Sequence, residues 1–292
     1  MEFVDLSRAF GNPSPPRTIW QKTFEGSSNH LKNLCAARPE SVAAKDLVTY
    51  ALDLIHIDAF QPDLTTYLFP ICLEMWRNVL FDKVDSTFNE HFHHALARRD
   101  FLGTQLTSDQ RSAAVQFMRE ALLDCMDLEI SHGGPPRSHA NSACHWMIAL
   151  ASHGTFATDI ESLWLSWWEL PTPGRALAAL RYASTLIYLD GENPLDSTLP
   201  WEYESLGFGE RWRDENISFL ARTLTIAYFE EKIEAALAKI ASSITDADVL
   251  KMRSALRINR AIAEKRIMQL PEALATLSSP EPVQWDDLKP NR

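Results

Sequence analysis

The chain reads as an all-α protein: an irregular multi-helix bundle or helical-repeat-like array of about nine or ten helices. Three observations predict this class. From Thr107 to Met126, TSDQRSAAVQFMREALLDCM, a threonine suited to capping is followed three residues later by Gln110, and Val115, Met118, Leu122 and Cys125 recur at helical spacing. The same periodicity returns in segment after segment, and no stretch alternates apolar and polar residues as a strand does. No repeat of fixed period orders the helices.

Residues 1–26 read as an irregular N-terminal arm, because Gly11, Pro13, Pro15 and Pro16 oppose regular structure, while Phe3, Phe10, Ile19, Trp20 and Phe24 offer side chains that fasten it to the body. An N-terminal helical layer then spans 27–131. Its first helix runs from Pro39 to Asp58 on Val42, Leu47, Tyr50, Ala51 and Leu54. A second starts near Pro62, a favoured first-turn position, and continues to Phe81, with Pro70 expected to bend or interrupt it. Residues 84–99 form a third, and Gly103 with Thr104 turns the chain into the Thr107 helix. HGGPPRSHA at 132–140 is the strongest break and opens a C-terminal layer, 132–279. There, helices are expected at 138–150, 155–169 and 173–189, then a long loop at 190–207, then long helices at 209–241 and 245–270. Apolar residues on two sides of the 209–241 helix place it inside the bundle. The tail, 280–292, is irregular, with Trp285 as an anchor.

Composition narrows the function. The chain has 292 residues, 46% of them hydrophobic, enough for one large core or two smaller ones. Cys35, Cys72, Cys125 and Cys144 are scattered and form no CxxC pair, so reduced, buried thiols are expected rather than a zinc ribbon or a disulfide scaffold. MEFVDLSRAF lacks the basic and apolar regions of a secretory signal, and no run approaches the ~18 apolar residues of a membrane span, so the expected location is cytoplasmic, with no membrane partner. A net charge of −11 argues against nucleic acid as a partner. The basic segment 251–266, with Lys251, Arg253, Arg257, Arg260, Lys265 and Arg266 against Glu264, reads as a solvated face.

Two segments together resemble a known family. LTTYLFPICLEMW (64–76), followed by QLTSDQRSAAVQFMREAL (105–122), is similar to an uncharacterised bacterial all-helical domain family that pairs a tyrosine-and-proline helix with a threonine-capped LTxxQxxAVxxFL helix. Tyr67 and Pro70 match the first part. Leu106, Thr107, Gln110, Ala114, Val115 and Phe117 match the second, with Met118 where the pattern has Leu. The resemblance covers about a fifth of the chain, and because its motif is capping and core chemistry it implies helices and no reaction.

Three constellations offer chemistry. In NEHFHHALARRD, a helix sets Glu90 against His93 at i,i+3 and against His94 at i,i+4, the arrangement of a metal-binding carboxylate and imidazole. A second Glu-x-x-His, Glu129 to His132, would complete half of a di-iron site, but it lies at a helix end beside Gly133 and Gly134. Surface histidines without metal, and no cofactor, are therefore expected. Asp53, His56 and Asp58 in DLIHID place a carboxylate where it can orient an imidazole, without a nucleophile nearby. In WLSWWE, Trp164, Trp167 and Trp168 form one aromatic helix face, which is either core or interface.

Were that face exposed beside Glu161, Glu169 and the acidic loop carrying Glu192, Trp201, Glu202, Tyr203 and Glu204, it would be an anionic aromatic docking site. The expected function is accordingly a non-enzymatic protein-binding module, in its most economical form a bacterial immunity protein or antitoxin that occludes a basic toxin. The alternatives are a di-iron-like helical metalloenzyme centred on Glu90 and His93, or a scaffolding subunit whose arm and tail engage neighbouring copies as a homo-oligomer.

Overall fold

The computed structural model describes residues 6–24, 26, 29–57, 59–82, 87–98, 101–130, 159–188, 192–195 and 214–276. Among them lie fourteen α-helices and no strand, so the chain is all-α. The first group is α1 (Leu6–Phe10), α2 (Asn29–Ala36), α3 (Ala44–His56), α4 (Pro62–Asp82), α5 (Thr87–Arg98), α6 (Phe101–Gln105) and α7 (Ser108–Asp127). The second is α8 (Asp159–Trp168), α9 (Pro173–Ile187), α10 (Asp214–Thr223), α11 (Ile226–Ile240), α12 (Ala247–Leu250), α13 (Met252–Ile258) and α14 (Arg260–Thr276).

The helices outnumber the nine or ten expected. Short helices such as α1 and α2 carry too few turns to declare a period in sequence, and the predicted 209–241 helix is two. At Thr225 the backbone is extended and the hydroxyl accepts from the Tyr228 N–H, which caps a new helix. The two apolar faces assigned to one doubly buried helix belong instead to different packings: α10 lies on α14, and α11 lies on α9. The 245–270 helix is likewise three, the first capped by the Asp246 carboxylate on the N–H groups of Asp248 and Val249. The Thr107 helix has the expected reciprocal cap: Gln110 N–H donates to Thr107 Oγ1, and Thr107 N–H to Gln110 Oε1. Pro70 lies inside a helix that runs on to Asp82.

α7 joins the two groups. On one side it packs against α1 and α4, and on the other against α8 and α9. The N-terminal core is phenylalanine-rich: Phe69 stacks on Phe101 with ring centres 5.4 Å apart and also meets Phe10 and Phe92. Cys72 and Cys125 are buried free thiols, and burial raises the Cys72 pKa. Cys35 is partly buried, and burial with the nearby Asp63 charge pushes its thiol up to about 11. Cys144 lies outside the described residues.

The seam between α7 and α9 is built from backbone and charge together. Gly174 follows Thr172 and Pro173 at the start of α9, where a Cβ would fall on the carbonyl oxygens of Met126 and Asp127, closer than the 3.0 Å that real Cβ atoms respect. Only glycine admits this approach, which sets the positive end of α9 against the negative end of α7. The Asp127 carboxylate accepts from the Thr172 hydroxyl and from Nε and Nη2 of Arg175 at 2.9 and 2.8 Å, while Arg175 Nη1 donates to the Ser166 carbonyl at 3.0 Å. One buried guanidinium thus gathers the ends of three helices.

Candidate functional site

α8 is the element on which the expected docking surface depends. Trp164, Trp167 and Trp168 are all buried, the most exposed at 1%. Trp164 Nε1 donates to the Tyr228 hydroxyl and Trp167 Nε1 to the Arg175 carbonyl, each at 3.1 Å. Trp164 and Trp168 stack with centres 5.0 Å apart, all three indoles meet Tyr182 edge-on, and Phe229 closes on Trp168. Burial pushes the Tyr228 phenol up to about 12, although the Trp164 N–H it accepts pulls the other way. These indoles are core, so the Trp164, Trp167 and Trp168 part of the expected docking face is not surface. The physical reason is period: positions i, i+3 and i+4 share one helix side, and α7, α9, α10 and α11 supply enough apolar area to cover it.

The opposite side of α8 is solvated. Glu161, Leu165 and Glu169 are exposed and follow one another at i, i+4 and i+8, so an apolar side chain sits between two carboxylates along one line. The same helical period that buries the indoles places Leu165 outward. Glu192 is also exposed. It belongs to a short piece held by Asn193, whose Nδ2 donates to Ser184 Oγ at 2.9 Å, and by buried Leu195. Trp201, Glu202, Tyr203 and Glu204 lie outside the described residues.

The histidine cluster is interior, not surface. His93 and His94 are buried on α5, and Glu90 is partly exposed. The Trp76 indole donates to His93 Nε2 at 2.9 Å, so that nitrogen is an acceptor and the ring proton resides on Nδ1. The lone pair a metal would need at Nε2 is already committed. Asn89 Nδ2 donates to the Trp76 carbonyl from the same helix, fixing the α4–α5 pairing. Burial lowers the His91 pKa against the raising influence of Glu90. The second Glu-x-x-His is taken apart too, since the Glu129 carboxylate pairs with Arg181 of α9 in a mostly buried bridge, and His132 lies outside the described residues. Burial lowers the Arg181 pKa. Among the described residues no three His, Cys, Asp or Glu side chains form a group able to hold a metal ion.

Asp53 is fully buried, but His56 is not its partner. The carboxylate accepts from the Phe24 N–H at 2.9 Å and from His30 Nε2 at 3.0 Å, while His56 stacks on the Phe24 ring at 4.4 Å. Asp58 lies outside the described residues. A few residues downstream, Gln61 performs the same task. Its Oε1 accepts from the N–H groups of Trp20 and Gln21, its Nε2 donates to the Thr18 carbonyl, and its own N–H donates to Gln21 Oε1. The arm is therefore fastened by Gln21, Gln61 and Asp53 together with buried Phe10 and partly buried Ile19, whereas Trp20 and Phe24, also expected to fasten it, are 58% and 59% exposed, and Phe3 lies outside the described residues.

The basic segment is largely neutralised. Arg253 pairs with Glu234, Arg260 with Glu230 and Glu264, and Lys251 with Asp248. Arg266 donates to the carbonyls of Thr185 and Tyr188, closing the C-terminal end of α9. No described helix is long and apolar enough to cross a membrane. Comparison with protein-family models, with curated proteins and with solved structures gives no match to this chain.

Proposed function

We propose that this protein is a non-enzymatic protein-binding module that captures a basic partner on its acidic exterior, in the manner of an immunity protein or antitoxin covering a basic toxin. The reading is carried by the outward row of α8, Glu161, Leu165 and Glu169, on a helix whose reverse side is immobilised by three buried indoles. A face that is held rigidly loses little conformational entropy on binding. The net charge of −11 draws a cationic partner over a distance set by salt, and Leu165 then provides a desolvated contact between two carboxylates.

The test compares the tagged full chain with Glu161→Lys/Glu169→Lys and Leu165→Glu variants, all at solvated positions, by mass spectrometry of stoichiometric partners recovered from source cells. A partner of high isoelectric point, lost in the charge-reversed variant and weakened by added salt, is the expected result. A stoichiometric partner that is acidic, or that binds all variants equally, overturns the proposal.

A scaffolding role draws on a different observation, the exposed Trp20 and Phe24 on the fastened arm. It predicts that Trp20→Ala/Phe24→Ala lowers the mass of the full chain in solution. An unchanged mass removes it.

A further inference from the structure

Residues 18–24 lie on α3 and α4 as a peptide lies in a binding groove. From Ile19 to Phe24 burial alternates: Gln21 and Thr23 are buried and Ile19 partly so, while Trp20, Lys22 and Phe24 are exposed, which is the period of an extended chain. The groove reads main chain. Gln61, immediately before α4, takes the N–H groups of Trp20 and Gln21 on Oε1 at 2.9 and 3.3 Å and gives Nε2 to the Thr18 carbonyl at 2.8 Å. Farther along, the buried Asp53 carboxylate of α3 takes the Phe24 N–H at 2.9 Å, and His30 of α2 meets its other oxygen at 3.0 Å. One side chain of the strap is read as well, since Gln21 Oε1 accepts the Gln61 N–H at 3.0 Å.

The strap fills this groove imperfectly. Gln21 Nε2 is buried without a hydrogen-bond partner, which costs the strap part of its affinity. Its largest side chains add little, because Trp20 and Phe24 stay more than half exposed. Gly11 and Gly26 bracket the segment, both at positive φ and both with open space where a side chain would stand. Such positions absorb the backbone rotation of a segment that leaves and returns.

We propose that the groove along α3 and α4 is a binding site for an extended segment of a partner protein, and that residues 18–24 are its occupant in cis. The ligand is defined by what the groove reads: main-chain N–H groups where Trp20, Gln21 and Phe24 now stand, a carbonyl at the place of Thr18, and inward side chains that are aliphatic, hydrogen-bond accepting and small in turn, as Ile19, Gln21 and Thr23 are. Main-chain bonds give such a site its affinity and alternate side chains its selectivity. A second copy's strap makes the same contacts without the tether, so the strap in cis excludes it. The site is separate from the outward row of α8 and stands without it.

The probe is a fluorescein-labelled peptide of residues 17–24, RTIWQKTF, titrated into the full-length chain and followed by anisotropy. Gln21→Ala in the chain weakens the strap and leaves the groove intact, so it should raise probe affinity about tenfold over the parent. N-methylation of the probe at Phe24, which removes the N–H that Asp53 accepts, should lower affinity about tenfold, whereas N-methylation at Lys22 should leave it unchanged. Gln61→Glu keeps the acceptor, loses the donor to Thr18 and should also weaken the probe. Amide exchange at the chain's own Trp20 and Phe24 should quicken as the probe displaces the strap. Near-ultraviolet dichroism of the buried α8 indoles reports an intact fold in each variant. Three results overturn the proposal: no binding to the Gln21→Ala chain, equal binding of the two N-methylated probes, or a mass of the chain alone that halves in Gln61→Glu and so gives the groove to a second copy.

Discussion

The indoles of α8 and the aromatics of the N-terminal arm are opposite solutions to one problem. Trp164, Trp167 and Trp168 are buried among Tyr182, Tyr228 and Phe229, so α8 is held by its side chains. From Thr18 to Phe24 the arm is held by its backbone: Gln61 and Asp53 reach out to the N–H groups of Trp20, Gln21 and Phe24, and the rings of Trp20 and Phe24 stay more than half exposed, the latter against His56. Aromatic density alone does not separate core from surface. What separates them is whether the element can pack a whole face or needs its main-chain groups satisfied one at a time.

The largest expected contrast comes from truncating each kind of aromatic. Trp167→Ala should cost about 3–5 kcal/mol through lost burial and a cavity, whereas Trp20→Ala should fall within about 0.5 kcal/mol of the parent. Chemical denaturation of the full chain measures both, and comparable losses would erase the distinction.

Next in size is the frame that positions α8. Gly174→Ala forces backbone against backbone at the seam and should cost about 1–3 kcal/mol. Arg175→Met, which strands the Asp127 carboxylate and frees the Ser166 carbonyl, should cost a similar amount, about 2–3 kcal/mol, given that Asp127 is partly solvated. Equal stability of either variant would show that the three helix ends do not depend on one another.

The arm supplies the intermediate case. Asp53→Ala removes the acceptor of the Phe24 N–H and of His30, and should cost about 1–3 kcal/mol. Most of that loss is expected as local opening, so amide exchange at Phe24 should rise far more than at Trp167. A uniform rise across both regions would mean that the arm and the core unfold as one.

Alkaline titration probes α8 most gently. Burial holds Tyr50 well above the ordinary phenol value and Tyr228 at about 12. The unfolded chain releases these protons near pH 10, before the folded chain does, so stability present below pH 10 is lost as pH rises toward 12. Tyrosinate absorbance should lag behind that of free tyrosine and then rise with unfolding. Tyr228→Phe should remove part of the slope.

Helix identity was readable from local chemistry: the Thr107–Gln110 cap and the apolar spacing of α7 are encoded within a few residues. Helix breaks were less so, because Thr225 becomes a cap only when α10 and α11 find separate partners. The candidate surface was half readable. Spacing placed three indoles on one side of α8, but whether other helices would cover that side depends on contacts with residues such as Tyr228, 64 positions away. The histidines show the same limit. Nothing in NEHFHHA announces that an indole from α4 will occupy His93 Nε2.

The meeting of Asp127 with Arg175 also bears on how the protein can be divided. A cut between residues 131 and 158 would give one piece ending in a carboxylate dock and another beginning with its guanidinium counterpart, each with the helix pole the other needs. Co-expressed, such halves should find each other and restore a working whole, which would make that stretch the natural place to split the molecule for a complementation reporter.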